Sequence, residues 1–225
     1  FIDNSQEGEN PPPSDLSPIE LGHQEWENGR LTLFCSTYIY ESGCETDYQL
    51  SGVIPLEIGN LIHLNQIMLF GNQLTGTIPI DIQNLMNLNF LDLGYNQLNG
   101  EIPTEIWSLN NLNVLSLYSN QFIGSIPQEI GNLVNLWWLD LGDNQLVGQI
   151  PYEIGNLSEL YNLFLQNNLF DGYIPESICD IPLGLPELQF NFSNNYFCPP
   201  YPKCLSEEDV GYQNTSECEE PSLCD

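Results

Sequence analysis

The chain predicts an α/β solenoid: parallel strands stacked one per repeat, coil and 3-10 turns on the far side, and disulfide-stapled caps at the ends. Three observations predict it. A 24-residue period runs from Leu61 to Ile178 without slippage. Leu64, Leu88, Leu112, Leu136 and Leu160 fall in register, as do Asn72, Asn96, Asn120, Asn144 and Asn168 and the pairs beginning Ile78, Ile102, Ile126, Ile150 and Ile174. The cysteines lie almost entirely outside this array. A period of this length marks supersecondary units that cannot bury their own apolar edges and are stabilised by their neighbours.

Residues 1–24, with Pro11-Pro12-Pro13 and several acids, read as an extended arm that gains order only by docking on a neighbour or on its own solenoid. Residues 25–49 form an N-terminal cap. The solenoid spans 50–197 and opens on Leu50-Ser51-Gly52-Val53-Ile54-Pro55, the back half of a repeat with no clear strand before it. Each full repeat begins with a strand such as Leu91-Asp92-Leu93, whose leucines point inward and whose aspartate points out. The recurrent asparagine carries both donors and an acceptor, and suits backbone groups left where the chain turns off the sheet. Gly100 and its equivalents supply backbone freedom at the turn. The proline that follows has no N–H and fits an exposed or lightly paired segment. Phe190 to Phe197 repeats Leu163 to Phe170 with a step of 27, so three residues are inserted around Pro182-Leu183-Gly184 before a sixth, distorted strand. Residues 198–225 form a Cys-rich cap and tail.

The charge is extreme: 31 acidic residues against Arg30 and Lys203, a net −29. Nucleic acid and anionic membranes bind chiefly through Lys and Arg and would be repelled. Such acidity serves solubility in salty water, or else a cationic partner. No calcium loop of known spacing is present, and Glu207-Glu208-Asp209 is the one weak candidate for a divalent cation such as calcium. No cofactor is expected.

Cys35 and Cys44 precede the repeats and form the natural N-terminal bridge; Cys179, Cys198, Cys204, Cys218 and Cys224 follow them. Six members, Cys35, Cys44, Cys179, Cys198, Cys204 and Cys218, are expected in bridges, with one C-terminal thiol left free, modified or intermolecular and the pairing there open. The pattern fits an oxidising, extracellular setting. Zinc is disfavoured, because no C-x-x-C pair occurs and His23 and His63 are the only histidines. The start at Phe1, without a basic and apolar leader, suggests a removed signal peptide. No run approaches 18 apolar residues, so no membrane span is expected.

The block G-x-I-P-x-x-I-G-N-L, at Gly52–Leu61 and Gly148–Leu157, resembles the plant-type subclass of leucine-rich repeats, which includes receptor-kinase ectodomains, polygalacturonase inhibitors and some antifreeze proteins. The tail Cys198-Pro-Pro-Tyr-Pro-Lys-Cys204 followed by Gly211-Tyr-Gln-Asn-Thr-Ser-Glu-Cys218 is similar to the ending of secreted leucine-rich-repeat proteins of aquatic bacteria and other microbes. The resemblance covers Leu50 to Phe197. It implies a right-handed arc with a concave parallel sheet, and an extracellular binding or structural role.

In that frame the outward strand residues are Gln66, Met68, Phe70; Phe90, Asp92, Tyr95; Val114, Ser116, Tyr118; Trp138, Asp140, Asp143; Asn162, Phe164, Gln166; and Gln189, Asn191, Ser193. Six strands give a face about 24 Å across. The expected partner-binding set is Phe70, Phe90, Asp92, Tyr95, Tyr118, Trp138, Asp140 and Phe164, with Trp137 and Tyr161 at the margin. Aromatic side chains dominate contact energies, while rings stacked along a ladder would serve the sheet alone. Acids among the rings suit a sugar or a basic peptide. Because Ser116 faces out, an aspartate there should be silent, whereas one at Leu117 should unfold the domain.

Three sequons occur, at Asn156, Asn191 and Asn214; Asn191 and Asn214 are sterically open to a glycan, and Asn156 also belongs to the repeated G-N-L turn. A hydrolytic triad needs a histidine beside a nucleophile, and neither histidine sits in such a pattern, so no catalytic residue is expected. The leading function is therefore secreted, extracellular recognition of a protein or carbohydrate through the aromatic concave face. The alternative is a structural subunit whose solenoids join copies of themselves head to tail through the arm. Ice binding is a third reading, disfavoured because Thr77, Glu101, Ser125, Gln149 and Tyr173 are not a uniform ladder.

Overall fold

The computed structural model describes residues 6–7, 23–27, 30–35, 50–181, 189–216 and 218. One parallel strand per repeat is the first ladder: β5 (Gln66–Met68), β7 (Phe90–Asp92), β9 (Val114–Ser116), β11 (Trp138–Asp140), β13 (Asn162–Phe164) and β15 (Gln189–Asn191). Register advances by 24 residues from Gln66 to Phe90 and by 27 from Asn162 to Gln189, as the sequence requires. The insertion expected at Pro182-Leu183-Gly184 lies outside the described residues.

The sheet is wider than six strands. Before β5 come β1 (Gln6–Glu7), β2 (His23–Glu27) and β3 (Arg30–Cys35), giving a nine-stranded order β1-β2-β3-β5-β7-β9-β11-β13-β15. The half-repeat at Leu50 therefore does have a strand ahead of it. Leu33 pairs with Gln66, a step of 33, and this longer spacing hides it from a 24-residue frame. β2 runs antiparallel to β3 and crosses position 24, so the segment read as arm and the segment read as cap share one strand.

A second ladder forms beyond the turn. It comprises β4 (Ser51–Val53), β6 (Gln73–Gly76), β8 (Gln97–Glu101) and β10 (Gln121–Ile123), then β12 (Val147–Gly148), β14 (Leu169–Gly172) and β16 (Tyr196–Phe197). The glycine within it adopts a left-handed φ, as at Gly100 (79°), a conformation only glycine enters freely. Each Ile-Pro pair then launches a 3-10 helix, such as Thr104–Ser108 after Pro103, which closes when the Leu109 amide donates to the Ile106 carbonyl.

Between the ladders lies one continuous core of buried leucines, isoleucines and phenylalanines, several from each repeat, including the row Leu91, Leu115, Leu139 and Leu163. Burying one such side chain contributes roughly 1.5–3 kcal/mol. The repeated asparagine satisfies the backbone at the bend. Asn144 Oδ1 accepts from the Phe122 amide at 3.0 Å, while its Nδ2 donates to the carbonyls of Leu117, Leu141 and Gly142 at 3.0, 3.2 and 3.0 Å. Asn96, Asn120, Asn168 and Asn195 repeat the arrangement.

The C-terminal cap continues this logic with different residues. Gln213 bridges in parallel to Asn195 and its amide takes the asparagine's place, donating to Phe192 O at 2.8 Å and accepting from the Phe197 amide at 3.3 Å. A one-turn helix, α1 (Glu207–Val210), opens on a capping box between Ser206 and Asp209. α1 packs against β15, and just past that strand the Phe192 and Asn194 amides donate to the Asp209 and Tyr212 carbonyls. Disulfides Cys179–Cys204 and Cys198–Cys218 staple the cap to the last repeats. Both are local, which matches the expectation that the cysteines serve the ends and an oxidising compartment. Cys35 lies in β3, while Cys44 and Cys224 lie outside the described residues.

Candidate functional site

Parallel pairing aligns the outward side chains of β5 to β15 into rows. The first row reads Gln66, Phe90, Val114, Trp138, Asn162, Gln189; the second reads Met68, Asp92, Ser116, Asp140, Phe164, Asn191. The third, one pleat further, reads Phe70, Gly94, Tyr118, Gly142, Gln166, Ser193. Tyr95 and Asp143 belong to none of these. They sit one residue past the third row at left-handed φ values of 52° and 53°, in the turn rather than on the strand.

Pointing outward does not mean being exposed. Val114 and Ser116 are only 5% and 8% exposed, because Phe90 and Trp138 close over one and Asp92 and Asp140 stand on either side of the other. The expectation that an aspartate at Ser116 would be silent is therefore wrong. It would set a third carboxylate between two others at a site already withdrawn from water.

The two aspartates arise from one local sequence, Leu91-Asp92-Leu93-Gly94 and Leu139-Asp140-Leu141-Gly142. Asp92 Oδ1 accepts from the Gly94 amide at 2.9 Å and Asp140 Oδ1 from the Gly142 amide at 3.0 Å. Glycine at the third row leaves room for large neighbours: a Cβ on Gly94 would meet the Phe70 ring at 2.9 Å, and one on Gly142 would meet the Gln166 amide. Burial raises the Asp92 carboxyl, offset by the Gly94 amide and the Ser116 hydroxyl. Burial pushes Asp140 up to about 7, opposed by the Gly142 amide and reinforced by the charges of Asp92 and Asp143. Gln166 Oε1, buried in the same row as Gly142, has no hydrogen-bond partner among the described residues.

The rings gather in two groups. Phe70, Tyr95 and Tyr118 touch in sequence, with centroids 5.2 and 5.3 Å apart. Trp137, Trp138 and Phe164 do the same at 6.0 and 5.3 Å. Burial and then the Asp143 carboxylate raise the Tyr118 phenol, which hydrogen-bonds to both Asp143 and Tyr95. Asp143 is further tied to Asn167 Nδ2 at 3.0 Å. The rings thus pack on one another and still offer surface, since Tyr95 is 52% and Trp137 41% exposed. Phe70, Phe90, Tyr118, Trp138 and Phe164 are half-buried, so truncating any of them also removes packing. Sequence reading missed the Gln166 acceptor and the supporting Gly94 and Gly142. An aspartate two residues before a glycine was the available signal.

The other candidates lie apart from this face or on its edge. Asp209 of the acidic run is engaged by the Ser206 amide and hydroxyl at 2.7 and 2.6 Å. Among the described residues no group of three or more His, Cys, Asp or Glu side chains is placed to hold a metal ion, and no helix is long and apolar enough to cross a membrane. His63 is half-buried, and His23 lies in β2. Asn156 is exposed as the last residue of its 3-10 helix, Tyr152–Asn156. Asn191 Oδ1 accepts from the Ser193 amide and hydroxyl at 3.0 and 2.7 Å, and Asn214 Oδ1 from the Ser216 amide at 3.2 Å.

Comparison with known proteins places this geometry. A leucine-rich-repeat family model matches residues 63–85, 87–109, 111–133 and 135–157. No curated protein matches the chain. Among solved structures, the plant peptide hormone receptor RGFR1, in complex with RGF2, is 36% identical at a TM-score of 0.65, over 68% of this chain and 24% of the receptor's. A plant ice-binding protein is 27% identical at 0.64, over 79% of this chain and 54% of its own. A chain of the BIR3–SERK2 complex from Arabidopsis thaliana is 35% identical at 0.52, over 61% of this chain and 72% of its own. The chain thus spans about a quarter of the length of the hormone receptor. With the repeat, the parallel ladder and the asparagine row in common register, the chain belongs to the leucine-rich-repeat family.

Proposed function

We propose that the protein is a non-catalytic extracellular recognition module that captures a protein or peptide on its concave sheet. The observation that carries this reading is the face itself: two ring clusters around the aspartates of the middle row on a parallel sheet. Exposed aromatic surface on a folded protein marks a contact site. The likeness to a receptor whose solved complex holds RGF2 supports a peptide-sized partner. The cap segment after β15 already engages the Phe192 and Asn194 amides, which favours this reading over strand addition at that end. Ice binding draws support from the plant ice-binding likeness, yet Thr77, Glu101, Ser125, Gln149 and Tyr173 are exposed and chemically unlike one another.

The test is capture from a displayed random dodecapeptide library by the full chain. Binders should be lost with Tyr95→Ala plus Trp138→Ala, and retained with Tyr152→Ala plus Tyr173→Ala, whose side chains are 67% and 54% exposed away from the sheet. Binders that survive the first pair and are lost with the second would overturn the reading.

A further inference from the structure

The second row poses a question that the fold does not answer. Asp92 and Asp140 each use one oxygen to hold the amide two residues on. That bond needs an acceptor and not a charge. Asn191, in the same row, makes it to the Ser193 amide at 3.0 Å. The turn is therefore served equally by a neutral side chain, and the carboxylates at 92 and 140 bring negative charge into a half-buried row against a solvation penalty. They stand on the strands either side of Ser116, about 10 Å apart at Cα by strand spacing. The nearby donors are neutral hydroxyls, Ser116 on Asp92 and Tyr118 on Asp143, beside Gln166 Oε1, which has no partner among the described residues, and the rings of Tyr118 and Trp138. No lysine or arginine lies in any of the three rows, and the chain carries only two such residues against 31 acids.

We infer that, within the recognition reading above, the partner is a basic peptide that places one lysine or arginine side chain over Ser116, between the carboxylates of Asp92 and Asp140. A guanidinium or ammonium group supplies the positive charge this row lacks, and its ionised pairs form in a site partly withdrawn from water, where charge-assisted bonds are strongest. The flanking rings receive the neighbouring peptide side chains and favour a cation at their faces.

The experiment starts from peptides selected from the dodecapeptide library on the immobilised full chain at pH 8 and about 0.15 M salt, where diffuse attraction to an acidic protein is screened beyond about 8 Å. Expected is a lysine or arginine in every enriched family, and at least tenfold weaker binding when arginine is replaced by citrulline or lysine by norleucine. Asp92→Asn plus Asp140→Asn should cost a similar factor, because asparagine keeps both turn bonds and removes only charge. Glu101→Gln plus Glu129→Gln removes the same net charge from exposed surface away from the β5–β15 face and should leave binding unchanged. Selected peptides without a basic residue that still depend on Tyr95 and Trp138 would overturn this inference and leave the recognition reading standing. Equal losses in both charge pairs would reduce the effect to net charge and also overturn it. An absence of any binder that depends on the sheet face would overturn both.

Discussion

Replacing Asp140 by asparagine should stabilise the protein, and the gain should depend on pH. The carboxyl is raised from its ordinary 3.8 to about 7, chiefly by burial. A folded-state value above the unfolded one means that the unfolded chain ionises first. The folded form then bears no penalty where both states are protonated, a growing one from about pH 4 to 7, and the full one above. The span from 3.8 to about 7 corresponds to about 4 kcal/mol at most. Solvent on the open side of the sheet reduces this to about 2 kcal/mol. Asparagine at 140 retains the bond to the Gly142 amide, as Asn191 does to the Ser193 amide, so little opposes the gain. For a domain of this size, about 2 kcal/mol shifts the melting temperature by about 4–8 °C. Thermal unfolding of both proteins, followed by circular dichroism at pH 8 and at pH 4, reads it directly. The variant should melt higher at pH 8, with the difference largely closed at pH 4. A difference equal at both pH values, or none at pH 8, would refute a buried charge at this position.

Ser116→Asp should destabilise by about 2–4 kcal/mol at pH 8, through like-charge crowding and burial, and much less at pH 4; denaturant melts at the two pH values check it. Asn144→Ala should cost about 1–3 kcal/mol by orphaning the Phe122 amide, while the Leu117 and Gly142 carbonyls keep the Asn120 amide and the Ser119 N–H; it is read as a lower urea midpoint with an unchanged slope. Non-reducing peptide mapping should recover Cys179 joined to Cys204 and Cys198 to Cys218, and Cys179→Ser with Cys204→Ser should lower stability by about 2–4 kcal/mol.

The limits of sequence reading here are physical and can be traced to particular residues. Period 24 sets the leucine core and the asparagine row because both are enforced at every repeat, and identical contacts demand identical residues. The strand Arg30–Cys35 was not visible, since a step of 33 to Gln66 breaks the period while the backbone pairing persists. The second ladder reads as turn from sequence, because Gln97-Leu98-Asn99-Gly100 shows turn composition and its pairing depends on stacking that a single repeat lacks. Alternation assigned Ser116 its direction but not its exposure, which is decided by what stands on the adjacent strands. The acidic row was half legible. Alternation puts Asp92 and Asp140 among the outward partner-binding candidates, while Leu-Asp-Leu-Gly also announces a side chain that caps its own turn. Only the sheet brings Asn191 into the same row performing the same bond without charge, and that comparison separates what the turn requires from what the two carboxylates add. Charge that the fold can do without, held where it opposes stability, is the pattern expected of a binding site kept for its partner.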